Sequence, residues 1–385
     1  MTKVLDIATP FANLPVVPAC LHSPAEPAPG LILLSEQLNI SPSIEAEADE
    51  LCQDGFTVLV PDLSEISGQD KIMLYLSCAF EVLEDVVGKC GVGIIGKGIG
   101  ADYALEFASC KRLLCGVGYL PTNDSIVEKR IEDVSIPFAL HLSQSAPQRL
   151  LDHCKSLSHV KVYTYPLAKS EDPDTETLLL DQAHKDLAYN RSLSLLKTAT
   201  RKKYDLSLLW DQHCHFEFEE KDVKKTLETM VDEPYVNHIP TMTGGSGKKA
   251  LTEFYTHHFI PCNPPSTKIT PITRSVTPTR VVDEFIFSFT HTCEMDWMLP
   301  GIAPTNKHVE IPMVAIVEFH GDKIACERIY WDQASVLAQL GIIEKIDKVI
   351  RGREQADKVV ENISSRANKY EEGRGRMKKK HEQVG

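Results

Sequence analysis

With 385 residues, 43% hydrophobic and 25% charged, the chain is long enough for two globular cores and too apolar to be disordered throughout. Its formal net charge of −13 argues against a general nucleic-acid binder, which needs a basic surface to replace counterions. No run approaches the roughly 18 to 20 apolar residues of a membrane-spanning helix.

The first 27 residues read as an N-terminal extension. Its opening, MTKVLDIATPFANLPVV, carries an acid and a proline where a secretory signal would run apolar. From residue 28 to about 202, strand and helix alternate. GLILLSE at 30–36 is a buried-strand run, IEAEADELCQDG at 44–55 a helix closing on glycine, and FTVLVPDL at 56–63 a second strand. IMLYLSCAFEVLEDVVG follows as a helix, VGIIG as a strand and ADYALEFAS as a helix, and LLCGVGYL, PFALHLS and VKVYTYP supply three more strands. The helix DQAHKDLAYNRSLSLLKTATR ends this region. Apolar strands separated by helices imply a doubly wound parallel sheet covered on both faces.

Residues 203–345 change style. YDLSLLWDQHCHFEFEE, DVKKTLETMV and GKKALTEFYTHHFI read as helices. KITPITRSVTPTR, VVDEFIFSFTHT, VEIPMVAIVEFHG and KIACERIYWD read as long strands, giving an α+β domain. From Lys345 onward 12 Lys or Arg stand against 7 Asp or Glu. Residues 346–385 are therefore expected to form a basic tail, helical and then disordered. Eleven cysteines, an odd number with no C-x-x-C pair, read as reduced thiols, so the expected location is cytoplasmic.

The stretch GVGIIGKGIG at 91–100 turns a strand sharply into a helix. Gly91, Gly93 and Gly96 fit G-x-G-x-x-G, but a dinucleotide fingerprint follows its strand, and here the strand lies inside it. Gly96 and Gly100 suit the flanks of a nucleophile elbow, yet the nucleophile position is Gly98, with no oxygen or sulfur to form an acyl intermediate. GGSGKK at 244–249 misses the first glycine of a phosphate-binding loop, and Ser246 reads instead as a helix N-cap.

In the second domain Leu206, Trp210, His213 and Glu217 share one helical face, so His213 is a candidate pocket residue; His215 lies about 200° around the helix from it. In VVDEFIFSFTHT, Asp283, Phe285, Phe287, Phe289 and His291 share one strand face, an acid and a histidine flanking an aromatic stripe. EPYVNHIP places Tyr235, Asn237 and His238 close to a turn, and EMDWMLPG sets Asp296 beside Trp297. CERIYWDQ splits into Glu327, Ile329 and Trp331 against Cys326, Arg328, Tyr330 and Asp332. A carboxylate near an imidazole in an apolar cavity can be tuned toward neutral pKa, as proton abstraction requires. No H-x-x-x-H or Cys/His ligand spacing points to a metal.

Two resemblances follow from these stretches. PGLILLSEQLNISPSIEAEADELCQDGFTVLVPDL, GIIGKGIGADYALEFA and AHKDLAYNRSLSLLK resemble the dienelactone hydrolase family of the α/β-hydrolase fold, over about residues 28–200. That family carries a cysteine at the elbow, an aspartate after the next-to-last strand and a histidine after the last. Here those places hold Gly98, HLSQSAPQ without an acid, and Lys169 and Ser170; Glu36 matches a pocket glutamate of the family, and His141 lies nearby in sequence. The implied elbow is degenerate at Gly96, Gly98 and Gly100. DWMLPGIAPTNKHVEIPMVAIVEFHGDKIACERIYWDQASVLAQLG resembles the SnoaL-like polyketide cyclase family, a curved sheet wrapped on helices into a cone of the nuclear transport factor 2 type. This match runs from about Tyr204 to Gly341, with Asn306 where relatives usually have glycine.

The resemblances imply a cofactor-independent acid/base enzyme in the cone, a cyclase, isomerase, dehydratase or hydrolase of a small cyclic or polyketide-like metabolite. His238 or His291 would be the proton shuttle, Asp283 or Asp332 its orienting acid. Substrate-binding candidates are His213, Trp210, Tyr235, Asn237, Asp296, Trp297, Glu327 and Tyr330. An ester or lactone hydrolase using Glu36, and a non-catalytic binding protein, are the alternatives. A small-molecule substrate and a homodimer are the expected partners, with no cofactor, metal, membrane or nucleic acid.

Overall fold

The computed structural model describes residues 2–11, 14–109, 112–169, 178–179, 182–202, 204–344, 350 and 352–362. The chain divides into two compact units, Met1–Tyr204 and Asp205–Gly385.

The first unit opens with β1 (Thr2–Ile7), β2 (Val17–His22), β3 (Gly30–Leu34), α1 (Pro42–Gln53), β4 (Thr57–Pro61) and α2 (Gln69–Val87). It continues through β5 (Val92–Lys97), α3 (Ile99–Ala108), β6 (Gly116–Tyr119), α4 (Asp124–Arg130), β7 (Phe138–Ser143), α5 (Gln148–Ser156) and β8 (Val160–Tyr165). A short pair, β9 (Ala168–Lys169) and β10 (Leu178–Leu179), precedes α6 (Gln182–Ala199). The eight-stranded sheet has the order β1-β2-β4-β3-β5-β6-β7-β8. Strands β3 to β8 pair in parallel, which leaves β3 and β4 buried along their whole length and explains their unbroken apolar runs. One apolar cluster joins Ile32 and Ile94 to Leu76 and Leu83 of α2; another joins Leu31 and Ile95 to Leu51 of α1 and Leu196 of α6. Residues 1–27 are more than an extension, because β1 and β2 add two antiparallel strands to this sheet.

At the corner between β5 and α3, Gly98 takes φ 52° and ψ −121°. A Cβ on Gly96 would stand 2.1 Å from the Gly100 carbonyl oxygen, and one on Gly100 2.6 Å from the Ser35 carbonyl oxygen. The flanking glycines are therefore required by backbone packing, whatever residue occupies the corner. Gly96→Ala is expected to cost at least the roughly 1–3 kcal/mol of an overpacked core, because backbone cannot step aside as a side chain does. All three tryptophans, Trp210, Trp297 and Trp331, belong to the second unit. The loss should thus be seen in circular dichroism melts and not in tryptophan fluorescence; unchanged melts would refute it.

The second unit contains α7 (Leu206–His215), a π-helical turn at Phe216–Glu220, α8 (Val223–Glu228), β11 (Met230–His238), β12 (Thr243–Ser246) and α9 (Gly247–Glu253). A second π-helical turn spans Phe254–Phe259, before β13 (Lys268–Val276), β14 (Arg280–Thr290), β15 (His308–His320) and β16 (Lys323–Trp331). Helices α10 (Gln333–Gln339) and α11 (Glu354–Asn362) end the described chain. The sheet order is β12-β11-β16-β15-β14-β13, with β11 and β16 parallel and the other pairs antiparallel. The register shifts at Ile272 of β13 and at Ala325 of β16, and extra residues of this kind bend a strand and increase its twist. This is the α+β cone that the sequence implies.

EPYVNHIP runs along β11, which pairs with both β12 and β16, to a turn at 239–242 as expected, while two other local expectations change. DVKKTLETMV leaves its helix at Glu228 and enters β11 at Met230. Ser246 does sit at the N-cap of α9, but its side chain makes no capping hydrogen bond. Asn306 takes φ 58°, a left-handed turn position that asparagine tolerates. The ten described cysteines form no disulfide, and among the described residues no helix is long and apolar enough to cross a membrane. The expected disordered end of the tail lies outside the described residues.

Candidate functional site

The period-two pattern of the cone strands turns alternate side chains inward. Asp283, Phe285 and Phe287 of β14, Met313 and Ala315 of β15, and Glu327 and Ile329 of β16 line a cavity of about 560 Å³, its open mouth included. The helical side closes it with Trp210 and Cys214 of α7, and both π-helical turns contribute: Glu217 and Phe218 from the first, Tyr255 and Phe259 from the second. π-Helical turns are rare and concentrate at functional sites, because the wider turn re-aims side chains. The walls are overwhelmingly apolar and aromatic.

The main polar feature is a buried cluster of His213, Glu217 and Glu327. His213 stacks on Trp210, ring centroids 5.5 Å apart. The Thr229 hydroxyl donates to the Thr226 carbonyl (2.6 Å), so it accepts from His213 Nδ1–H (2.6 Å) and fixes that proton. His213 Nε2 faces two carboxylates, Glu217 Oε1 at 3.1 Å and Glu327 Oε1 at 3.2 Å. Burial alone would push this imidazole down, but Glu217 and Glu327 together carry it up to about 10, so it is cationic at neutral pH. Glu327 is raised, first by burial and then by Glu217, with His213 opposing. Beyond that ion pair its Oε1, fully enclosed, completes no hydrogen bond of good geometry. The Tyr255 hydroxyl and the Trp297 indole N–H, both on the cavity wall, likewise complete no hydrogen bond of good geometry.

His238 also lines the cavity, its ring among Phe254, Phe259, Trp297 and Trp331. Burial lowers it to about 4, and Nδ1 stands 3.3 Å from the Thr243 carbonyl. A carbonyl only accepts, so Nδ1 carries the proton and Nε2 the lone pair. The orienting acids expected for it are engaged elsewhere. Asp283 accepts from Trp210 Nε1 (2.9 Å) and, in a two-pronged pair, from Arg274 Nε (3.0 Å) and Nη2 (2.8 Å). Asp332 caps α10, accepting from the backbone of Ala334 and Ser335 and from Gln355. His291 is buried, but its partner is Thr305 and it is not on the cavity wall.

Four substrate-binding candidates also lie off the cavity wall. Tyr235 and Asn237 point to the other face of β11 and bond each other (2.9 Å). Tyr330 is exposed on β16, and Asp296 pairs with His258 at 2.6 Å. Trp210, Glu327 and Trp297 line the cavity, and His213 lies behind that wall against Trp210 and Glu327. What the sequence reading missed is the partnership: Glu217 was placed on the His213 face by its i, i+4 spacing, but Glu327 lies 114 positions from His213 and only the sheet brings it there.

In the first unit Glu36 is exposed beside Gly98, where a Cβ would stand 3.2 Å from Glu36 Cγ. Lys97 pairs with Glu47. Lys169 falls in β9, and Ser170 lies outside the described residues. His141 is buried, hydrogen-bonded to the Tyr165 hydroxyl (2.9 Å) and the Ser192 hydroxyl (2.8 Å), and burial with the Arg191 charge lowers it to about 3. It is a satisfied interior group. His141 and His238 both stay neutral in the fold, whereas an unfolded histidine protonates near pH 6.5. The unfolded chain then binds more protons, so their stabilisation is complete above about pH 6.5 and is lost as pH falls toward 4 and 3. Melting temperatures should drop between pH 7 and pH 4.5; a flat profile would contradict neutral burial.

A family model described as a SnoaL-like domain matches residues 211–327. No curated protein matches the chain. Among solved structures, the Pyrococcus furiosus esterase is similar at 15% identity over 52% of this chain and 91% of its own, TM-score 0.42. A dienelactone hydrolase-like promiscuous phosphotriesterase from metagenomic libraries is similar at 15% identity, over 51% and 98%, TM-score 0.41. An alpha/beta hydrolase from Penicillium sp. sh18 is similar at 13% identity, over 52% and 99%, TM-score 0.39. Residues 211–327 thus form a SnoaL-like domain, joined to an N-terminal domain whose strand order is that of the α/β-hydrolase fold.

Proposed function

We propose that the SnoaL-like domain is an acid/base enzyme that transfers a proton on a small cyclic or aromatic molecule, with Glu327 as the transferring group. The observation that carries this reading is the buried Glu327 carboxyl on the wall of an aromatic cavity, its Oε1 paired with His213 at 3.2 Å but completing no hydrogen bond of good geometry. Burial raises the carboxyl above its ordinary value while His213 opposes, and a positioned carboxyl can both give and take a proton. His213, held by Thr229, positions Glu327 and balances its charge. Tyr255 and the Trp297 indole N–H supply donors for an oxygen that gains charge as the proton leaves. His238 packs the wall and keeps a lone pair available to the substrate.

The N-terminal domain is read as a hydrolase fold without hydrolase chemistry, because Gly98 offers no nucleophile and the buried His141 is already bonded on both nitrogens. The test is exchange of acidic C–H protons for deuterium in a panel of cyclic and aromatic carbonyl compounds, followed by NMR with the intact protein. Accelerated exchange of at least one compound is expected. No exchange with any panel member that calorimetry shows to bind would overturn the reading.

A further inference from the structure

The same cluster has a property that proton transfer does not use. Ligand atoms bonded to one ion at about 2.1 Å stand roughly 3.0 to 3.4 Å apart. His213 Nε2 lies 3.1 Å from Glu217 Oε1 and 3.2 Å from Glu327 Oε1, and all three atoms fall within 4.8 Å of one another. His213 lies in the last turn of α7, Glu217 follows on the same face in the first π-helical turn, and Glu327 comes from β16, so the three donors converge from three elements.

We propose that His213, Glu217 and Glu327 form a binding site for a divalent first-row transition-metal ion such as zinc, cobalt or manganese. Two further observations point to a ligand. Glu327 Oε1 is buried, aimed into the cluster at 3.2 Å from His213 Nε2, and completes no hydrogen bond of good geometry, so it has a lone pair to give. The Thr226 carbonyl–Thr229 hydroxyl–His213 Nδ1 chain is the outer support that metal-bound histidines characteristically have, holding the far ring proton so that Nε2 faces the ion. One imidazole and two carboxylates are donors suited to these metals, and the aromatic cavity beside them leaves room for a further ligand. Two carboxylates also match the double charge of the ion. Binding replaces the Nε2 proton of His213 by the metal and releases that proton to solvent. Metal and shared proton are therefore exclusive occupants, and the ion inhibits the proton transfer proposed above.

The test titrates cobalt(II) into intact, chelator-treated protein and follows visible absorption. One equivalent should produce weak d–d bands without a thiolate charge-transfer band, which separates this site from the chain's eleven cysteines. Glu327→Gln should weaken binding at least 100-fold. Thr229→Val, which leaves every ligand in place, should weaken it by about 10–100-fold. No stoichiometric binding by the parent protein, or binding unchanged in Glu327→Gln, would overturn the proposal. The two readings fail separately, because the deuterium-exchange assay is run in chelator and the cobalt spectrum needs no substrate.

Discussion

Glu327→Gln should lower the rate of proton transfer by about 10²–10⁴-fold, the usual contribution of a positioned general acid or base, while the cone stays folded. Glutamine keeps the shape of the side chain and removes only the ionisable oxygen. His213 keeps Glu217 at 3.1 Å, so a neutral amide at 327 leaves no buried charge without a partner. Ligand affinity should change little, since the aromatic residues that make up most of the cavity wall are untouched. Deuterium exchange measures the rate, and near-ultraviolet circular dichroism reports the packing of the tryptophans. An unchanged exchange rate would remove Glu327 from the chemistry and leave His238, with its free Nε2 lone pair, as the group to test next.

Asp283→Asn should act in the opposite sense, on stability more than on rate. Asp283 is 4% exposed and accepts from Trp210 and twice from Arg274, which itself reaches Asp211 at 2.7 Å. Asparagine turns an N–H donor toward the guanidinium and leaves its charge without the inner partner. Breaking one side of a buried pair costs about 3–5 kcal/mol, and tryptophan fluorescence during urea unfolding reads the second unit alone. Lost turnover with unchanged stability would instead restore Asp283 to the orienting role that its sequence position suggests.

Periodicity was a good guide wherever one face of an element is buried. The run from β3 to β8 and the alternation of β14 and β15 could be read from the chain because neighbouring residues must face opposite ways on a strand. The same rule correctly turned Asp283, Phe285 and Phe287 inward and set Glu327 opposite Tyr330. It failed for β1 and β2, and for the short α4 and α5, whose few residues carry too little pattern to stand out. The glycine corner was legible too, since only glycine fits where backbone meets backbone at Gly96 and Gly100.

The sequence by itself determined two domain styles, the inward faces of the cone strands and the absence of a nucleophile at Gly98, all of which depend on residue type and near neighbours. Only the tertiary structure decided which ionisable groups meet. It carried Glu327 to His213 across more than a hundred residues, tied Asp283 to Arg274 and Asp332 to a helix cap, and left His291 with Thr305. Charge pairing is set by distance in space, and the spacing of residues along the chain says nothing about that until the sheet register is known.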